Sequence, residues 1–146
     1  MKIDFTKEQY ENLCKAVYLG NFLANGPRED DYLDNIEEIE QYVYSFYKEF
    51  GVEDLIEEDE GKFYPTIEME DEMDEPISFY DAESFWEMLA DELGKRDFVE
   101  KYGQAAVKKM DFKERIEKES PFIDKYEKEF SRNGLANIFI KENKLK

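Results

Sequence analysis

The feature that most constrains this chain is a stretch that is strongly acidic and still rich in aromatic residues. From Glu29 to Glu92 there are 25 Asp and Glu residues against two bases, Lys48 and Lys62, a net of −23. The other residues carry 13 acids and 18 bases, a net of +5, so the whole chain stands at −18. Disordered acidic segments are poor in aromatics, because they bury nothing. This one holds twelve, from Tyr32 to Trp86. It is therefore expected to fold, with rings supplying a core and carboxylates left at the surface.

Helical periodicity dominates the rest of the reading. Thr6 and Gln9 form a capping-box pattern ahead of Tyr10, Leu13, Cys14 and Val17, and Asn25-Gly26-Pro27 should end that helix. A second helix is expected over roughly 34–50, with Ile36, Ile39, Val43, Phe46 and Phe50 as its apolar stripe and Gly51 as its C-terminal cap. Residues 57–75 carry no clear period, and Phe63, Tyr64 and Ile67 read as anchors of a loop or short strand closed by Pro76. A helix over about 82–93, ended by Gly94, places Phe85, Trp86, Leu89 and Leu93 on one face. Lys95 to Tyr102 reads as a short helix closed by Gly103, and Gln104 to Met110 as another. Asp111 and Glu114 cap the next helix, and Ser120-Pro121 breaks the pattern before a last helix with Phe122, Ile123, Tyr126 and Phe130 inward and Gly134 after it. Leu135 to Ile140 is the strand candidate, paired with 63–67. The expected fold class is mainly α: residues 1–146 form a single compact domain of about five or six helices, with at most a small two-stranded β element near the C-terminus.

Several functions are excluded by residues the chain lacks. It has no histidine, which removes the commonest general base and every Ser-His or Cys-His dyad. One cysteine, Cys14, forms no intrachain disulfide and no ordinary zinc site, and its place beside Tyr10 and Val17 marks it as a small buried hydrophobe. No acidic run matches a calcium-binding EF-hand loop: a glycine at the sixth position, Gly61, would put Ile56 where the first acid belongs. No cofactor is expected. No apolar run approaches the roughly 20 residues of a membrane helix, and no signal peptide opens the chain, so a cytoplasmic location is expected. Nucleic acid and anionic membrane are themselves polyanions and are not expected as direct ligands.

The expected function is that of a non-enzymatic acidic binding protein docking a basic protein surface. The expected acidic face comprises Asp30, Asp34 and Glu38, spaced four apart; Glu57, Glu58, Asp59 and Glu60; Glu70, Asp71, Glu72, Asp74 and Glu75; and the ridge Glu83, Glu87 and Asp91. Like charges four apart on a helix cost about 0.2–0.5 kcal/mol per pair; the helix dipole favours acids near helix starts, such as Asp34 and Glu83, by about 0.3–1 kcal/mol, and leaves Glu87, Asp91 and the runs 57–60 and 68–75 to a solvated or a binding face. Tyr32, Tyr44, Phe63 and Tyr64 are the aromatic candidates at its rim, suited to cation–π contacts with Lys and Arg. A sharper version is nucleic-acid mimicry toward a nucleic-acid-binding protein, and an immunity or antitoxin protein against a basic toxin uses the same physics. One carboxylate per helical turn of about 5.4 Å is sparser than a duplex charge per about 1.7 Å, so mimicry requires two or three adjacent ridges. The alternatives are a carboxylate-based enzyme or a hard-cation (calcium or magnesium) binding protein, and a structural domain without a dedicated partner. Oligomeric state is not legible.

Overall fold

The computed structural model describes residues 2–139. Its order is α1 (Lys7–Asn25), α2 (Asp34–Tyr44), α3 (Tyr47–Phe50), β1 (Ile56–Asp59), β2 (Lys62–Pro65), α4 (Ile67–Tyr102), α5 (Gln104–Val107) and α6 (Phe112–Asn133). The fold is mainly helical with a small two-stranded antiparallel sheet. No helix among the described residues is long and apolar enough to cross a membrane. The chain divides into two compact units, Met1–Phe79 and Tyr80–Lys146, and the division falls inside α4.

In the first unit, α1 starts as its sequence dictates. The Thr6 hydroxyl accepts from the Gln9 amide at 3.2 Å, and the Gln9 side chain accepts from the Thr6 amide at 3.0 Å. Tyr10 and Cys14 point inward and meet Tyr44, Tyr47, Val52, Ile56 and Met69 in one core. Tyr10 stacks on Phe50 with ring centres 4.1 Å apart, and its hydroxyl donates to the Val43 carbonyl at 2.6 Å.

The helix expected over 34–50 is two helices. The chain turns at Ser45 and Phe46 before α3 begins, which shifts the helical phase. Within α2 itself the line Ile36, Glu40 and Tyr44 turns inward, so Ile39, placed on the inward stripe by periodicity, is exposed while Tyr44 is fully buried. Gly51 ends α3 in the left-handed region, at φ 67, as expected of a C-terminal cap.

The two-stranded element lies at 56–65 and not near the C-terminus. β1 and β2 pair with Ile56 opposite Pro65 and Asp59 opposite Lys62. Glu60 and Gly61 join them with φ of 49 and 81, the positive pair that a type I′ hairpin turn requires. The outer side of β2 is closed by one side chain: the Gln41 amide donates to the Phe63 carbonyl at 2.7 Å and accepts from its N–H at 2.9 Å. Positions 135–139, part of the strand candidate, are turns and irregular chain, and Ile140 lies outside the described residues.

Three breakers lie inside helices: Pro76, expected to close the loop or short strand of 57–75, and Gly94, expected to end a helix, are in α4, and Pro121, expected to break the pattern, is in α6. Burial of the faces on either side outweighs each local cost. In the first unit, Met69 and Met73 anchor α4. In the second, Ala90, Gly94 and Phe98 step by four along its buried side. Gly94 lies against Ile123 of α6, and Phe98 meets Phe122 at 5.9 Å. Trp86 meets Phe130 at 5.5 Å. Asp111 caps α6 by accepting from the Glu114 amide at 2.9 Å.

Candidate functional site

Residues 57–75 form the hairpin and the first turns of α4, and this is what positions these acids of the first unit. On the hairpin, Glu57, Glu58, Asp59 and Glu60 are exposed, and only Glu58 has an ion-pair partner among the described residues, Lys48 at 3.2 Å. On the first turns of α4 the buried Met69 and Met73 fix the helix orientation. Glu68, Glu70, Asp71, Glu72, Asp74 and Glu75 are therefore all exposed. Glu72 pairs with Lys15 at 2.5 Å, and none of the other five pairs with a base among the described residues.

The remaining expected acids divide similarly. Asp34 and Glu38 sit on α2 and are exposed, but Asp30 precedes the helix, so the trio expected at four-residue spacing is not one ridge. In the second unit Glu83 and Glu87 are exposed on α4. Asp91 is half-buried and held by Lys95, so it is a compensated charge rather than the third member of a free ridge. Glu83 and Glu87 line an open groove of about 590 Å3 with Trp86, Glu127 and Phe130.

The aromatic candidates separate by burial. Tyr32 and Tyr64 are exposed, at 44% and 41%. Phe63 is half-buried on β2 with its ring edge-on to Tyr47 at 5.9 Å, so it belongs to the core margin. Tyr44, expected as an aromatic at the rim of the acidic face, is at 0% exposure and donates to Glu40 at 3.3 Å. It is not available to a partner, because α2 turns Glu40 and Tyr44 inward together.

The sequence reading missed Glu40. It is 8% exposed, and its second oxygen accepts from the Asn21 amide at 2.7 Å. Burial pushes its carboxyl above the ordinary range, opposed by the Asn21 and Tyr44 hydrogen bonds. Asn21 in turn accepts from Asn25 at 2.7 Å, and Asn25 exchanges hydrogen bonds with both backbone groups of Leu33. The signal in the sequence was Glu40 sitting four residues after Ile36 and four before Tyr44, within the face that turned inward. Cys14 is fully buried, and desolvation pushes its thiol up to about 11, which makes it a poor nucleophile. Among the described residues no group of three or more Cys, Asp or Glu is placed to hold a metal ion.

Fold and surface together define a class: a mainly helical protein whose carboxylates are crowded on exposed elements and, among the described residues, largely lack bases paired with them. Comparison with protein-family models, with curated proteins and with solved structures gives no match.

Proposed function

We propose that this chain is a non-enzymatic acidic binding protein whose carboxylate surface docks a basic protein surface. The observation that carries the reading is the run 68–75. Glu68, Glu70, Asp71, Asp74 and Glu75 are exposed and have no ion-pair partner among the described residues. The chain does compensate acids elsewhere: on α6, Glu114 pairs with Lys118 at 2.6 Å and Glu119 with Arg115 at 3.1 Å. Like charges three and four apart on 68–75 cost helix stability, and a basic partner relieves that repulsion.

The charge density supports the nucleic-acid-mimic version in particular. Eight helical residues span about 12 Å at about 1.5 Å per residue. Five unpaired carboxylates over that length give a charge per about 2.4 Å of axis, close to the duplex value of about 1.7 Å. The target class is then a protein with a basic nucleic-acid-binding surface, and an inhibitor or immunity role follows from blocking it. A carboxylate enzyme is less well supported, because both oxygens of Glu40, among the described residues the one carboxylate with a raised pKa, are already held by Asn21 and Tyr44.

Titration with hexalysine tests the reading. Neutralising Glu68, Asp71, Asp74 and Glu75 to Gln or Asn should weaken binding at least tenfold while the helical circular dichroism is unchanged. Equal affinity for the neutralised protein would rule out this surface as the docking site.

A further inference from the structure

Beside α1 and α2 in the first unit is an open pocket of about 400 Å3, lined by Tyr18, Asn21, Phe22, Arg28, Tyr32 and Glu40 among others. That volume is on the scale of small-ligand sites, about 300–1,000 Å3. Its most buried charge is Glu40, and what holds that carboxylate is neutral: the Asn21 amide and the Tyr44 hydroxyl. A carboxylate this buried is costly without a counter-charge. Arg28 does not supply one. Its Nε donates to the Ala24 carbonyl at 2.7 Å and its Nη1 is held by Asp31.

The walls are aromatic. Tyr18 and Phe22 stack with ring centres 6.3 Å apart and 27° between planes, and Tyr32 adds an exposed ring. The Tyr18 hydroxyl is pushed up by burial first, and then by the charges of Glu70, Asp74 and Glu40. Glu70 and Asp74 of α4, exposed and without an ion-pair partner among the described residues, thus add negative charge toward Tyr18. Three rings and one buried carboxylate, with the Arg28 charge on the wall taken up by Asp31, disfavour an anion. A neutral apolar guest would leave Glu40 without a counter-ion. The group that satisfies these features is an alkyl cation, attracted by ring faces and able to donate to the carboxylate.

We propose that this pocket accepts the cationic end of a Lys or Arg side chain, with Tyr18, Phe22 and Tyr32 around it and Glu40 as its counter-ion. It deepens the docking reading, and rests on it, by naming the group that a basic partner inserts. Glu40 is then a recognition residue whose unpaired burial is relieved on binding.

The test is an NMR titration of the full chain with four probes: Nα-acetyl-lysine methylamide, its arginine counterpart, the neutral norleucine analogue, and hexalysine. Saturable shifts at Tyr18, Tyr32 and Asn21 are expected with the lysine or arginine probe and not with norleucine, and whichever of the two binds tighter identifies the side chain. Glu40→Gln, which keeps the shape and a hydrogen-bond acceptor, should weaken that binding at least tenfold. Tyr32→Ala, at an exposed ring, provides a second variant if Glu40→Gln alters the fold, and should weaken it several-fold. Norleucine binding as well as lysine, or Glu40→Gln binding equally, overturns the pocket. If hexalysine binds while both single-residue cations leave Tyr18 and Tyr32 unshifted, the pocket inference fails and the docking surface stands. If a single-residue cation saturates the pocket while hexalysine finds no further site, the pocket stands and the docking surface fails.

Discussion

Gly94 of α4 packs directly on Ile123 of α6: a β-carbon built on Gly94 would stand 2.6 Å from the Ile123 side chain and 2.9 Å from its backbone Cα. The two helices of the second unit approach this closely because position 94 carries no side chain. Gly94→Ala gains about 1 kcal/mol of helix propensity and loses more to overpacking against backbone, typically about 1–3 kcal/mol. A net loss of stability is expected in urea denaturation. Gly20 is the control. It lies inside α1, and a methyl group placed there would meet nothing within 4 Å, so Gly20→Ala should stabilise by about 0.5–1 kcal/mol.

Glu60 turns the hairpin at φ 49, a conformation that favours Asn or Gly over Glu. Glu60→Asn should raise stability by about 0.5–1 kcal/mol, read as a shifted urea midpoint. Unchanged or lower stability would mean that the tip is not a strained type I′ turn.

Glu40 has a folded-state pKa above its ordinary value, with burial the leading cause. The folded protein therefore holds this proton more tightly than the unfolded chain. Between the two pKa values stability falls as pH rises, so ionised Glu40 is a net cost at neutral pH. Glu40→Gln should be at least as stable as the parent at pH 7, and its advantage should shrink as pH falls toward the ordinary carboxylate range. Comparing the two proteins across pH cancels the general effect of the −18 net charge.

Asp97 behaves oppositely. It accepts from the Tyr126 hydroxyl at 2.6 Å and from Arg96 at 2.8 Å, and these bonds hold its pKa down at about 2 against an ordinary 3.8. Its contribution is fully present above the ordinary value and is lost as pH falls from about 3.8 to about 2. Asp97→Asn should cost about 1.5–3 kcal/mol at pH 7, the range for hydrogen bonds to a charged group, with the difference from the parent vanishing near pH 2.

What could be read from the sequence was local. Thr6 with Gln9, Asp111 with Glu114, Gly51 and Gly134 lie at helix ends as their chemistry dictates, because a cap is satisfied by residues three or four away. What could not be read depended on distant partners. Pro76 and Pro121 stay helical because packed faces on either side outweigh one lost backbone bond, and Gly94 is a packing site rather than a stop. The break at Ser45 and Phe46 has no breaker residue, and Tyr44, an expected surface ring, is core because α2 turns the side carrying Glu40 and Tyr44 inward. The hairpin escaped notice because Glu60 stands where Asn or Asp usually precedes Gly61. For the site, the density of acids on 68–75 was legible, but which of them go without an ion-pair partner among the described residues is a property of the fold.

The most direct test of the docking surface is affinity capture from a lysate of the source organism with the parent chain and, in parallel, with Glu68, Asp71, Asp74 and Glu75 neutralised. Captures at about 0.15 M and about 0.5 M salt bracket a fall in screening length from about 8 Å to about 4–5 Å. One dominant basic protein should be held by the parent at the lower salt, largely lost at the higher, and not held by the neutralised chain. The same proteins captured by both chains, or none enriched by the parent, would contradict an acidic docking surface on α4.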